Sequence, residues 1–198
     1  MKGKTHLVLG LAAGVTIALN REIDNFYMII LGTSIGSLMP DIDHPKSRIN
    51  QKLLKYKNKS YKILFYTIIG MALLYIYSQT NDNVFLLAGV ISILIGVSKH
   101  RGFTHSILGM FLFMKLGSNL VEKFGYYDIY LGFFIGYISH LFSDFFTKSG
   151  MEIFYPFSEN FSFPVGMKTG GALENAIIFI LGSYSFYGIL KYFGLISY

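Results

Sequence analysis

Histidine and aspartate fall in four short runs of this chain, and each run lies where an apolar segment begins or ends. The runs are Thr5-His6, Pro40-Asp41-Ile42-Asp43-His44, His100-Arg101-Gly102-Phe103-Thr104-His105, and His140 with Asp144 four residues on. All five histidines of the chain belong to this set. Imidazole nitrogens and carboxylate oxygens are the ligands that zinc and related divalent ions take when thiolates are absent. The chain has no cysteine, so neither a thiolate site nor a disulfide framework is available to it. Four such runs at apolar boundaries predict one polar site, built from several helices at a membrane surface.

The spacing within each run sets what it can do. His140 and Asp144 are four apart, which puts both on one helix face about 6 Å apart, where they can share a metal. The plainer alternative is a His–Asp bond that ties two helices together. Asp41 and Asp43, two residues apart in an extended turn, can bridge two cations, and His44 adds a nitrogen. Asp and Pro are also ordinary turn residues. Thr104 is expected to cap the helix that follows, placing His105 in its first turn. Arg101 offers a planar fork for phosphate or carboxylate, or a simple topology anchor like Lys99. His100 reads equally as a ligand or a surface residue. His6 is expected to join the ligands. Glu174 reads as a ligand or a base for water, or as a charge favoured at a helix N-terminus. Ser34, Ser37 and Ser106 are expected to pack or hydrogen-bond between helices. An ionisable group at bilayer depth is a functional candidate, because burying it unpartnered costs several kcal/mol, about 2.5–3.5 on insertion scales.

The elements that must position these groups are apolar. Hydrophobic residues make up 53% of the 198 residues and charged residues 14%, against about 25% charged in soluble domains. The mean hydropathy is +0.48. This composition predicts an all-α, polytopic transmembrane bundle, read as one integral membrane domain over 1–198. Seven apolar segments stand out, at roughly 5–19, 26–40, 62–78, 84–98, 103–121, 129–147 and 172–195. The first two are short for a crossing and read as tilted spans or a re-entrant pair. The start of the chain superficially resembles a signal peptide and is expected to be a retained helix. A basic stretch at 46–62 carries Lys46, Arg48, Lys52, Lys55, Lys57, Lys59 and Lys62. By the positive-inside rule that stretch is cytoplasmic. Counting spans outward puts Lys2, Lys4, Lys99, Arg101, Lys148 and Lys168 on the same side, with the N-terminus inside and the C-terminus outside. The opposite loops carry Arg21 and Lys123 among Glu22, Asp24, Asp82, Glu122 and Asp128. On that topology His6, Asp41, Asp43, His44, His100, Arg101, His105, His140, Asp144 and Glu174 all fall at cytoplasmic segment ends. The net charge of +6 is then a topology signal, and nucleic acid is not an expected partner. The 149–171 loop, which holds Phe154, Tyr155, Phe157, Phe161 and Phe163 together with Pro156 and Pro164, is expected to lie at headgroup level.

These motifs, in this order, resemble the YdjM-like family described as membrane-bound metal-dependent hydrolases of the bacterial inner membrane. The stretches that carry the resemblance are Thr5-His6, Met39 to Pro45, Arg101 to Ser106, Gly136 to Asp144, and Tyr155-Pro156-Phe157. The resemblance implies a multi-pass hydrolase with a divalent metal, and His6, Asp41, Asp43, His44, His105, His140 and Asp144 as its polar core. The His-x-x-x-Asp element is also similar to the metal motif of zinc-dependent phospholipase C and related nucleases, which favours phosphodiester chemistry. This chain lacks the many further histidines of those soluble enzymes. Seven ligands exceed the three that one catalytic zinc takes. Two ions are therefore expected, zinc first, with manganese or iron as alternatives. The expected activity is hydrolysis of a phosphoester in a phospholipid or lipid-linked headgroup, with Arg101 holding the phosphate and a membrane lipid as substrate. Two rival readings are a single-zinc amide or ester hydrolase acting on a lipid, and a non-catalytic metal-binding or structural membrane protein.

Overall fold

Among the described residues eight α-helices form, and four of them start or stop at a residue suited to it. They are α1 (Gly3–Asn20), α2 (Phe26–Leu38), α3 (Arg48–Leu53), α4 (Lys59–Thr80), α5 (Asn83–Val97), α6 (Ile107–Phe124), α7 (Tyr127–Phe145) and α8 (Ala172–Tyr192). The computed structural model describes residues 1–20, 25–157, 159–164 and 166–196, apart from the side chain of Arg48. Arg21, Glu22 and Asp24, which enter the charge count above, lie outside the described residues. Side chains cap four helix starts: Ser47 accepts from Asn50 N, Asn58 from Tyr61 N, Asp82 from Val84 N, and Ser106 from Gly109 N. Two helices end on a left-handed residue, Asn81 after α4 and Gly125 after α6.

The all-helical expectation holds. Among the described residues there is no strand, only the isolated bridges Thr147–Met167 and Met151–Phe161. Each of the seven apolar segments becomes a helix, and α3 forms inside the basic stretch. Seven crossings do not follow from that. Among the described residues only α4 and α8, of 22 and 21 residues, are long and apolar enough to cross a membrane by length and composition. The apolar α5 has 15 residues, a rise of about 22 Å against a hydrocarbon core of about 30 Å. Leu64, Ile68, Met71 and Tyr75 form one exposed apolar stripe along α4, the face a lipid-contacting helix presents. The first turn of α6 also differs from expectation. Ser106, not Thr104, is its cap, and His105 lies before the helix in a 3₁₀ turn, Phe103–His105.

The chain, read from sequence as one domain, divides into two compact units. The first comprises Met1–Met39, Tyr126–Gly150 and Ser162–Tyr198; the second comprises Pro40–Gly125 and Met151–Phe161. In the first unit α1 packs on α2, α7 and α8, and α2 packs on α7. Val15, Ala18, Phe26 and Ile29 make its buried cluster, joined by Leu19, Ile30, Leu131 and Ile189. The α2–α7 contact is backbone on backbone. A Cβ at Gly32, Gly36, Gly132 or Gly136 would collide with main-chain atoms of the facing helix, the close approach that small residues allow. In the second unit α4 packs on α5, and α5 on α6. The 3₁₀ turns Pro40–Asp43 and Phe103–His105 pack together there and against α5.

Candidate metal centres

In the first unit three buried groups meet at helix ends. His6 comes from the first turn of α1, and His140 and Asp144 come from the last turns of α7. All three are at most 1% exposed. One ligand-type atom from each lies within 4.8 Å of the other two. His6 Nε2 is 3.3 Å from Asp144 Oδ1, and His140 Nε2 is 3.9 Å from Asp144 Oδ2. The two imidazoles stack at 3.7 Å between centroids. Asp144 Oδ1 also accepts from the amino group of Met1 at 2.6 Å.

The hydrogen bonds behind the rings fix which nitrogen faces the carboxylate. His140 Nδ1 lies 2.7 Å from the Ser37 carbonyl oxygen. A carbonyl only accepts, so Nδ1 carries the proton and Nε2 of the neutral ring carries the lone pair. The glycine-lined α2–α7 contact makes this reach possible. His6 Nδ1 lies 2.7 Å from Ser143 Oγ, whose own proton goes to the His140 carbonyl at 2.8 Å. His6 Nδ1 is therefore the donor as well. Its Nε2 is buried with no hydrogen-bond partner. With the His6 ring neutral, an acceptor nitrogen faces the carboxylate oxygen that also takes the Met1 amino group, and a divalent ion between nitrogen and oxygen would satisfy both. Two ligand atoms about 2.1 Å from one tetrahedral ion stand about 3.4 Å apart, close to the His6–Asp144 spacing. The residues fit a divalent ion. Ser37 and Ser143, read from sequence as packing residues or not singled out, hold the two rings.

Glu174 has another task. Its carboxylate, 1% exposed, accepts from Lys2 N at 2.7 Å, from Gly170 N at 2.5 Å and from the Thr5 hydroxyl. It ties the start of α8 to the start of α1, and the expectation of a base at this position gains no support from that geometry.

The second unit gathers Asp41, Asp43, His44, His100, Arg101 and His105. Ligand-type atoms of Asp41, His100 and His105 lie within 4.8 Å of one another. Asp43 is fully buried. Its Oδ1 lies 2.8 Å from His100 Nδ1, and its Oδ2 accepts from Arg101 N at 2.9 Å and lies 3.5 Å from His105 Nδ1. Burial pushes the Asp43 carboxyl up, but the charge and hydrogen bonds of His105 and His100 outweigh it and hold the group well below the usual carboxylate range. Burial, with the neighbouring His100 charge, lowers His44. Arg101 adopts a left-handed backbone, φ 67°, uncommon for a residue with a Cβ. That turn aims its N–H at Asp43 and its carbonyl at Glu152 N, 2.9 Å away.

Three residues that sequence reasoning passed over hold this loop. Asn50, fully buried, donates to the carbonyls of Ile42 and His44 at 2.7 and 2.8 Å and accepts from the Tyr66 hydroxyl at 2.6 Å. Lys62, counted from sequence among the topology lysines, is buried and donates from Nζ to the carbonyls of Asp43 and Ser98, both at 2.8 Å. Glu152, buried in the aromatic loop, pairs with Lys99. Lys62 carried one sequence signal, a charge in the first turn of an apolar helix; Asn50 and Glu152 carried none.

A family model described as YdjM inner membrane protein matches residues 1–195. The uncharacterized protein YvsG of Bacillus subtilis (strain 168) is 28% identical over 178 residues, covering 90% of this chain and 88% of the relative. The inner membrane protein YdjM of Escherichia coli (strain K12) is 27% identical over 191 residues, covering 91% and 79%, and that of Shigella flexneri matches equally. No solved structure gives a significant match.

Proposed function

The chain belongs to the YdjM family of inner membrane proteins, and from that premise we propose that it is a multi-pass, metal-dependent hydrolase of a lipid phosphoester. The observation that carries the metal is the buried, unpartnered Nε2 of His6 turned towards the Asp144 carboxylate. His6, His140 and Asp144 would hold one ion, and ligands from the 41–44 and 100–105 turns another. Zinc suits imidazole and carboxylate best, with manganese or iron as alternatives. A bound divalent ion supplies Lewis-acid charge and an activated water at neutral pH.

The chain's own residues do the rest. Ser37 and Ser143 keep both rings of the first cluster in the tautomer that presents Nε2. Asn50 and Lys62 fix the carbonyls of the 41–44 turn, so the carboxylates there do not drift. Arg101, next to His100, supplies a permanent cation for a phosphate, which a carbonyl substrate would not need. Exposed Leu64, Ile68, Met71 and Tyr75 on α4 support a lipid environment, and the His and Asp residues at helix ends favour a substrate whose reacting bond lies at headgroup depth. The lysine pattern supports a cytoplasmic site and N-terminus.

The test is phosphate or headgroup release from mixed phospholipids and polyprenyl phosphates by purified protein in detergent, with a chelator and His140→Ala as controls. Metal-dependent release supports the reading. Release of fatty acid or amine instead would move the protein to the ester or amide hydrolases. No release of any kind from a metal-loaded protein would leave a metal-binding protein without catalysis.

A further inference from the structure

We infer that Asp43 is a positioning residue, that His100 with Asp41 and His105 forms the second unit's ligand set, and that His44 stands outside it. The inference rests on the metal-dependent reading above and reassigns three of its residues. The Asp43 carboxylate is fully buried and lies on the Nδ1 side of both His100 and His105. A carboxylate that takes an imidazole Nδ1–H fixes the ring's orientation and leaves the lone pair on Nε2, the carboxylate–histidine–metal arrangement of many metal proteins. The carboxylate on the other side is Asp41, whose Oδ1 is 3.9 Å from His105 Nε2. Asp41 is partly exposed, at 24% of its side chain, so a substrate can reach what it binds. Arg101 N also donates to Asp43 Oδ2, so the left-handed turn at Arg101 aims the backbone at the same carboxylate. One buried group thus holds the His100 ring and the turn at Arg101 and faces the His105 ring, whose Nδ1 it shares with the Thr104 hydroxyl 3.1 Å away.

His44 has the opposite tautomer. Its Nδ1 accepts from Lys46 N at 3.1 Å. The proton of the neutral ring then sits on Nε2, the nitrogen that would have to bind. Its ring meets His100 edge to face at 4.6 Å, which makes it a wall beside the ligands.

The experiment titrates Co(II) into the full-length, metal-free protein in detergent. It reads the Co(II) ligand-field spectrum, the bound stoichiometry, and the Kd by chelator competition, none of which needs activity. His100→Ala is expected to change the spectrum and lose the share of bound cobalt that the second cluster holds. Asp43→Asn is expected to keep the spectrum while raising Kd about 10–100-fold. His44→Ala is expected to leave both within about threefold. His100 is partly exposed at 35% of its side chain, so its variant carries the test even where Asp43→Asn fails to fold. An unchanged spectrum and Kd in His100→Ala, or a loss of cobalt in His44→Ala equal to that expected of His100→Ala, would overturn the assignment while leaving the metal reading intact. Wild-type protein that binds no cobalt, zinc or manganese would overturn both.

Discussion

Replacing His6 by leucine separates a metal ligand from a packing residue. In the metal-free protein two terms nearly cancel. The substitution removes the His6–Ser143 hydrogen bond, a net loss of about 0.5–1.5 kcal/mol, and it removes a buried acceptor without a partner, a gain of about 1–3 kcal/mol. Leucine is close in volume, so no large cavity opens. The metal-free variant is therefore expected within about 1 kcal/mol of wild type, or slightly more stable. Metal changes the comparison. At free zinc 1,000 times Kd, binding stabilises the wild type by about 4 kcal/mol. For a chain of this length that is a rise in Tm of roughly 8–16 °C, at 2–4 °C per kcal/mol. His6→Leu is expected to lose at least half of that rise, since one of three ligands around its ion is gone. The assay is thermal unfolding in detergent with chelator and with added zinc, followed by helix signal. A variant that loses 3 kcal/mol or more in chelator, yet gains as much from zinc as wild type does, would show that His6 is there to pack.

Lys62→Met leaves the Asp43 and Ser98 carbonyls buried without their donor, at about 1–3 kcal/mol each; an unchanged Tm would show that the ammonium does not hold the turn. Gly136→Ala sets a methyl against the Thr33 carbonyl, one turn before His140, and is expected to cost about 1–3 kcal/mol and weaken zinc binding; unchanged zinc affinity would mean the α2–α7 approach does not set the ring. Arg101→Gly suits the left-handed backbone, so Tm is expected to hold or rise while phosphoester hydrolysis falls; Arg101→Lys at full rate would return Arg101 to a topology anchor. Reporter fusions at residues 55 and 195 are expected on opposite faces of the membrane, and the same face for both would remove the proposed topology.

The helices were legible because their signals are local. Apolar runs bounded by Asn58, Asp82 and Gly125 show where chain can be helical and where it must stop. Length against the bilayer was legible as well: the apolar run at 84–98 has the same 15 residues as α5, and 15 residues do not make a full span. The α6 start was misplaced because Thr104 and Ser106 are both competent caps, and only the 3₁₀ turn before the helix decides between them. Position-wise, His6, His140 and Asp144 could be found in the sequence, since an ionisable residue at the end of an apolar helix stands out against its neighbours.

Role is harder to read than position, because an imidazole's function is set by what its other nitrogen touches. His44 and His100 look alike in sequence, each beside a turn with an acidic or basic neighbour. One accepts a backbone N–H on Nδ1 and the other meets the Asp43 carboxylate there, and this reverses which nitrogen carries the lone pair. The partners come from elsewhere in the chain: Asp43 lies 57 residues from His100, and Ser37 lies 103 residues from His140. Glu174 makes the same point from the other side. Its type and place suit a base, but two backbone N–H groups and a hydroxyl already use its carboxylate. A functional assignment in such a chain therefore rests on the atoms behind the ligands, and Asn50, Lys62 and Asp43 are the residues through which this chain places them.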